Sequence, residues 1–299
     1  MDRFDEMRVF VRIVERRSFT QAADDLQIPR ATVSNAIQSL EARLGVRLLE
    51  RTTRQVSPTL DGEAYYQRCL RLLADMEEAE DSFRNKAPKG LLRVNLQGTL
   101  ARSFVIPALP AFLALYPDIE LHIGEGDRLV DLLREGVDCV LRAGLLQDSS
   151  MVGRRVATLE QITCASPAYL AEFGMPTKLD GLTTGHRAVN FVSSATGRAL
   201  PLEFMLDGEM RTLTLASRVS VSGADAYAAA ALAGLGLVQL PRYRVAADLA
   251  AGRLLQVLPQ SPPPVLPVSV LYPQSRQLSA RVRLFADWLQ ALFAQALPA

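Results

Sequence analysis

Histidine and cysteine are scarce in this chain, with two and three residues among 299. The cysteines, Cys69, Cys139 and Cys164, stand far apart. No paired spacing suggests a disulfide framework or a zinc site, and small apolar core positions are the expectation for them. His122 and His186 lie beside no Ser, Cys or carboxylate arranged for nucleophilic or acid–base work, so neither an enzyme nor a bound cofactor or metal is expected. An apolar leader is missing as well. Asp2, Arg3, Asp5 and Glu6 occupy the place of a signal peptide's apolar segment, which predicts a cytoplasmic protein. The mostly apolar stretch 224–241 is broken by Gly234 and Gly236, against a span that needs roughly 20 unbroken apolar residues, so no membrane partner is expected. Large net charge is absent too: +1 overall says nothing by itself about nucleic acid.

What is present begins with size. A chain of 299 residues with 49% apolar content exceeds one small core and predicts two or three packed units. Residues 1–60 hold ten Arg against eight Asp and Glu and no Lys, a weak positive excess made of the side chain whose planar fork suits phosphate and guanine. Phe4, Met7, Phe10, Val11 and Val14 recur at helical spacing and predict a helix over 4–16 with this stripe inward. Ser18 can cap a short second helix that buries Phe19, Ala22, Ala23 and Leu26. Pro29 suits the first turn of a third, whose Val33, Ile37, Leu40 and Leu44 run to a stop at Gly45.

Three short helices with an Ala22–Ala23 crossing describe a helix-turn-helix, in which the third helix can lie in a DNA major groove. Arg30, Ala31, Thr32, Ser34, Asn35, Gln38 and Arg43 fall off its buried stripe and are suited to base edges and phosphates. The segment "VRLLERTTRQVSPT" then alternates as two short strands, a wing that carries Arg51, Thr53 and Arg54 toward the DNA backbone. With Ser18 and Thr20 at the start of the second helix, these residues (Arg43 apart) form the candidate DNA-contacting set.

A single long helix is predicted from Leu60 to about Lys86. Tyr65, Cys69, Leu72, Met76, Ala79 and Phe83 step by alternating fours and threes, the apolar seam of a coiled coil, which implies a partner helix. The alternative is that this seam packs on its own chain. Beyond the "NKAPKG" linker the texture becomes α/β. The runs "LLRVNLQG", "DIELHIGEG", "DCVLRAG", "QITCAS", "AVNFVS", "RVSVSG", "GLVQLP" and "PVSVLYP" read as strands between helical patterns such as 103–116, 127–136 and 279–295. Such alternation predicts parallel sheets covered by helices, with Trp288 in the core.

The segments "FVRIVERRSFTQAADDL", "VSNAIQSLEARLGVRLLERTTRQVSPTLDGEAYY", "DCVLRAG" and "ADAYAAAALAGLGLVQLP" together resemble a LysR-type transcriptional regulator over essentially the full length. The S-F-T-x-A-A step, the V-S-x-x-I-x-x-L-E-x-x-L-G run and the R-T-T-R wing occur in order at that family's spacing. The resemblance implies an α/β protein with a winged helix-turn-helix over 1–60 and a linker and dimerisation helix over 61–88. It further implies a two-subdomain effector domain over 89–299, resembling type 2 periplasmic binding proteins. Subdomain one would be 91–160 plus 267–299 and subdomain two 161–266, with crossings near 159–162 and 262–267. The implied partners are double-stranded promoter DNA, a small-molecule effector, further copies of the chain in a homodimer and homotetramer, and RNA polymerase if the protein activates. Where relatives often open the recognition helix with Ser and place Arg after the Ser of V-S, this chain has Pro29 and Asn35. Asn pairs with adenine and Arg with guanine, so the base preference of relatives does not transfer.

In such a two-lobed fold a ligand sits outside strand ends, where helix amides point at it. Thr99, Leu100, Arg102 and Ser103 follow the first strand, Arg142 closes the third, and Ser222, Gly223 and Ala224 open the Ala-rich helix; Phe191 and Ser193 form a fourth wall. Hydroxyls, helix amides and an Arg clamp favour an anionic or strongly polar effector. Thr99 and Ser222 serving only as helix caps is the competing reading. Two other functions stay open at this point: a solute-binding or enzyme-like α/β protein whose first helices only oligomerise, and a regulator that senses redox state through Cys164.

Overall fold

Side-chain caps set where the amino-terminal helices begin. Asp2 and Asp5 form a reciprocal capping box at the start of α1 (Arg3–Arg16), and the Ser18 hydroxyl accepts from the Gln21 amide to start α2 (Phe19–Leu26). In the computed structural model, residues 1–51, 56–82, 88–126, 136–144, 151–194, 196–273 and 279–297 are described. They fall into two units, Met1–Pro88 and Lys89–Ala299.

In the first unit α3 (Arg30–Leu44) follows Pro29 and ends at Gly45, whose φ of 72° is the left-handed turn that closes a helix. Val9, Phe10, Ile13, Phe19, Ala22, Ala23, Val33, Ala36, Ile37 and Leu40 form one core. Two expected members are out of it: Phe4 is 40% and Leu44 37% exposed, since each sits at the end of its helix beyond the neighbours that would cover it. Strands β1 (Leu49–Arg51) and β2 (Val56–Pro58) pair antiparallel, Glu50 opposite Ser57, while the tip 52–55, with Thr53 and Arg54, lies outside the described residues. Glu41 binds the entrance of β1, its Oε1 accepting from the amides of Leu48 and Leu49 at 2.8 and 3.1 Å.

Helix α4 (Leu60–Ser82) corrects two of the six expected seam positions. Cys69 is fully buried within its own unit and Tyr65 packs on Phe10 with ring centroids 5.5 Å apart, so these two face α1 and not a partner helix. The physical reason is that α1 needs a lid for Phe10 and the first turns of α4 supply it. Leu72 is 45% exposed and Met76 half-buried, while Phe83 and the side chain of Ala79 lie outside what is described.

The second unit contains a five-stranded sheet in the order β4-β3-β5-β14-β6, from β3 (Gly90–Leu96), β4 (Ile119–Glu125), β5 (Cys139–Ala143), β6 (Met151–Leu159) and β14 (Leu266–Pro273). β3 runs parallel to β4 and β5, but β14 pairs antiparallel with both β5 and β6, so the sheet is mixed where a parallel one was expected. The reason is connectivity: β14 comes back from the other layer without a crossover helix. Helix α5 (Gly98–Leu115), which contains a π turn over Ala101–Val105, and α8 (Ala280–Ala296) pack on it through Leu100, Val105, Phe112, Phe285 and Leu289. α5 has a mean hydropathy of 1.5, long and apolar enough by composition to cross a membrane, yet it buries Leu100, Val105 and Phe112 in a protein core and carries Arg102. Trp288 lies in the same core, 4.7 Å from the Phe112 ring.

After Leu159 the chain enters a second layer at β7 (Gln161–Ala165), flanked by β12 (Val238–Pro241) and β13 (Leu255–Val257), both antiparallel to it. β8 (Arg187–Phe191) and β11 (Ala216–Val221) pair in parallel, and β9 (Leu202–Leu206) with β10 (Glu209–Leu213) make a hairpin. Helices α6 (Pro167–Phe173) and α7 (Ala224–Leu232) cover this layer through Tyr169 and Leu170 and through Tyr227, Ala230 and Ala231. β6, β9, β10 and β13 were not expected from the sequence, and the helical pattern over 127–136 falls, but for residue 136, outside the described residues.

Candidate DNA-reading helix and effector site

Helix α3 is held from beneath by an apolar stripe and from one end by a charge. Val33, Ile37 and Leu40 are at most 1% exposed. Glu6 of α1, itself 7% exposed, accepts from Ser39 Oγ at 2.7 Å and from Arg43 Nη2 at 2.5 Å. Burial alone would raise the Glu6 pKa, but the two donors outweigh it and hold the carboxyl below its usual range. Arg43, expected to face outward, is thereby committed to the fold, and the pairing fixes the rotation of α3 about its axis. Sequence reading missed Glu6 and Ser39 because their partnership joins residues 33 apart in sequence, and a carboxylate on the apolar face of α1 gives no local sign of the donors that α3 brings to it.

N-terminal to this anchor along α3, Arg30, Ala31, Asn35 and Gln38 are exposed and Thr32 and Ser34 half-buried. These types offer a fork, a methyl, an amide pair and hydroxyls along one helix edge, a set able to read base edges. Thr20 is exposed on α2, and Ser18 spends its hydroxyl oxygen on the helix cap, which leaves its proton free to donate. Arg51 stands at the end of β1, and its side chain is outside what is described.

In the second unit the candidate effector residues gather at the carboxyl ends of parallel strands, where α/β folds bind ligands. β3 ends at Leu96 and leads into Gly98–Ser103. β5 ends at Ala143, whose amide donates to Gln97 Oε1 at 2.9 Å, so the Arg142 turn lies beside that first segment. Arg142 donates to Asn95 Oδ1 at 2.6 Å and to the Asn95 carbonyl at 3.2 Å, which makes it a brace between two strands. β8 and β11 end side by side: the Val192 amide donates to the Val221 carbonyl at 2.7 Å, bringing Ser193 and Ser222 to one edge. Phe191 packs on Tyr227 with centroids 5.2 Å apart, and Ser193 closes a turn with Gly197 and Arg198.

The helix starts differ from the competing cap reading. The N-caps of these helices are Gln97 and Gly223, with no side-chain capping bond, so neither Thr99 nor Ser222 is occupied as a cap. Leu100 is fully buried in the sheet core, which leaves only its backbone for a ligand, while Ser103 and Ser222 are exposed and Thr99 half-buried. Arg102 reaches Asp225 in the first turn of α7, joining the first and third candidate segments directly. Asp225 closes the third of the expected segments, whereas Glu125 and Arg244, also at this junction, lay outside the expected set because their proximity comes only from the fold.

The thiols offer no redox site. All three are buried and free; burial pushes Cys69 up to about 11 and Cys164 up to about 12, and raises Cys139 further. A reactive thiol needs the reverse, a lowered pKa and access, so the redox reading through Cys164 is corrected.

Comparison with known proteins completes the picture. Residues 4–63 match the bacterial regulatory helix-turn-helix protein family of lysR type, and residues 85–294 match the LysR substrate binding domain. An Escherichia coli HTH-type transcriptional regulator, YhjC, is 39% identical over 97% of this chain and 97% of its own length. A Pseudomonas aeruginosa HTH-type transcriptional repressor is also 39% identical, over 99% of this chain and 93% of its own. Among solved structures, CrgA of Neisseria meningitidis, a LysR-type regulator, is similar at 31% identity and a TM-score of 0.57, covering 96% of this chain and 97% of that one. The helix-turn-helix with its exposed polar edge and the α/β unit are thus the two halves of one recognised arrangement, and the chain belongs to the LysR family of DNA-binding transcriptional regulators.

Proposed function

We propose that the protein is a ligand-responsive regulator in which α3 enters the major groove of promoter DNA. Thr32, Asn35 and Gln38 meet base edges, Ala31 and Ser34 line the same contact, and Ser18, Thr20, Arg30, Arg51, Thr53 and Arg54 hold phosphates. The observation that carries this reading is the division of α3: Val33, Ile37 and Leu40 of its apolar stripe are buried in its own unit while Arg30, Ala31, Asn35 and Gln38 stay exposed. An architecture-only role gives no reason for that set of donors and acceptors.

The functional partition that fits is a reading head over 1–60, a linker helix over 61–88 and an effector domain over 89–299, its lobes being 91–160 with 267–299 and 161–266. The exposed Leu72, with Met76 and the later seam positions Ala79 and Phe83, is the surface for a second α4, giving a homodimer and, by further pairing, a homotetramer. A small organic effector, anionic or strongly polar, binds between the lobes at Thr99–Ser103, Arg142, Phe191–Ser193 and Ser222–Ala224. RNA polymerase is a partner if the promoter is activated.

The test is a gel shift on the DNA upstream of the chain's own gene. A specific, salt-sensitive complex that weakens in Arg30→Ala supports the reading. A protein that retains no promoter DNA at any salt, or binds all sequences alike, refutes it.

A further inference from the structure

Two links of different chemistry join the α/β layers of the second unit. One is apolar: the Tyr243 ring, on the turn after β12, lies 4.9 Å from Phe104 of α5, which in turn lies 5.2 Å from Phe293 of α8. The other is ionic. Arg102 on the π turn of α5 donates to Asp225 Oδ2, and α5 is packed on the five-stranded sheet whereas Asp225 opens α7 on the second layer. Both ionic side chains keep much of their surface in water, 52% for Arg102 and 67% for Asp225.

Each member of this bridge has a second partner on its own side. Arg102 Nη1 is 3.5 Å from Glu125 Oε1 at the end of β4. Asp225 Oδ1 is 3.5 Å from Arg244 Nη2, whose guanidinium also donates to the Ala224 carbonyl. The Glu125 carboxylate lies over Gly98, close enough that a β-carbon there would have to displace it. Parting Arg102 from Asp225 therefore leaves neither charge orphaned, which removes the usual cost of breaking an ion pair.

We propose that Arg102–Asp225 is an autoinhibitory latch across the effector cleft: Asp225 holds the guanidinium that the effector's carboxylate takes, and the lobes open about the Phe104–Tyr243 contact when it lets go. The ligand part of this statement rests on the reading of Gly98–Ser103 and Ser222–Asp225 as the effector site. Because Glu125 stays on Arg102 after the exchange, the guanidinium accommodates one incoming carboxylate group, so the class of ligand is a carboxylate-bearing organic molecule. An ion pair this exposed shifts an equilibrium by only about 1.4- to 5-fold, weak enough for a bidentate carboxylate to displace. The shift is also in reach of salt screening, with a Debye length of about 10 Å at 0.1 M.

The latch is testable without any effector, so its failure is separate from failure of the site reading, which is decided by effector titration of the Thr99→Ala variant. The native cysteines are buried, so spin labels on Glu120→Cys and Arg218→Cys, exposed positions of β4 and β11, report the distance between lobes in the full chain by pulsed dipolar spectroscopy. At low salt Asp225→Asn is expected to raise the ratio of open to closed populations by up to about fivefold, Asp225→Glu to leave it as in the native chain, and high salt to bring the native chain toward Asp225→Asn. Identical distance distributions in native and Asp225→Asn proteins at low salt, or opening in Asp225→Glu equal to that in Asp225→Asn, would overturn the proposal.

Discussion

Removing the Glu6 carboxylate is expected to loosen α3 without touching its exposed edge. In Glu6→Ala, Ser39 and Arg43 lose their acceptor across the α1–α3 contact. A hydrogen bond to a charged group contributes about 1.5–3 kcal/mol when shielded, and an exposed pair about 0.2–1 kcal/mol. Ser39 is exposed and the Arg43 side chain is 32% exposed, so the lower ends apply and the pair of contacts sums to about 2 kcal/mol. Native-state hydrogen exchange on the full chain reads this locally, avoiding any assumption that the two units unfold together. A loss of 2 kcal/mol accelerates exchange of α3 amides such as Ile37 and Leu40 by about 30-fold, with Glu6→Gln giving about half the free-energy effect because it keeps one neutral acceptor. The pH dependence has a defined sign. A carboxyl held below its usual range contributes stability that is present above the unfolded value of about 4.3 and is lost as pH falls through the lowered native value, so native and Glu6→Gln proteins converge in acid. Exchange in Glu6→Ala within threefold of the native chain, or a native–Gln difference that widens as pH falls, would refute this account of how α3 is held.

Other consequences follow from the same geometry. In fluorescence anisotropy with promoter duplexes, Thr32→Ala or Asn35→Ala is expected to relax base preference by roughly 1–3 kcal/mol, whereas Arg51→Ala weakens all sequences alike and flattens the salt slope by about one unit; the opposite division would exchange the roles of helix and wing. Phe112 is fully buried against Trp288 and Phe285, so Phe112→Ala should cost about 3–5 kcal/mol in the second unit and alter the emission of the chain's one tryptophan, while the α3 amides keep their protection. With its thiol pushed up to about 12 and no exposed surface, Cys164 should stay unlabelled by a disulfide reagent in the native protein and react on unfolding; rapid native labelling would restore the redox reading.

Much of this fold was legible because it is written locally. Val33, Ile37 and Leu40 repeat at helical spacing, Ser18 and Gly45 mark helix ends, and short, largely apolar runs at 91–96, 139–143 and 187–191 announce strands of the two layers. What escaped depends on contacts distant in sequence. β6 has a mixed polar pattern because it is an edge strand, and the direction of β14 follows from a return across layers that no local signal encodes. The heptad-like step from Tyr65 to Cys69 was real, but periodicity says only that a face is apolar, not whether α1 or another chain covers it. At the candidate effector site, strand ends and hydroxyls were visible, whereas Glu125 and Arg244 acquire meaning only when the layers bring them to Arg102 and Asp225.

The most direct measurement is base-specific photo-crosslinking from α3 in the complex with promoter DNA. A photoreactive side chain at position 35 or 38 should crosslink to bases of the bound duplex, and one at the exposed position 15 on α1 should not. Crosslinks from position 15 with none from 35 or 38 would show that another face meets the DNA and would contradict the assignment of α3 as the reading helix.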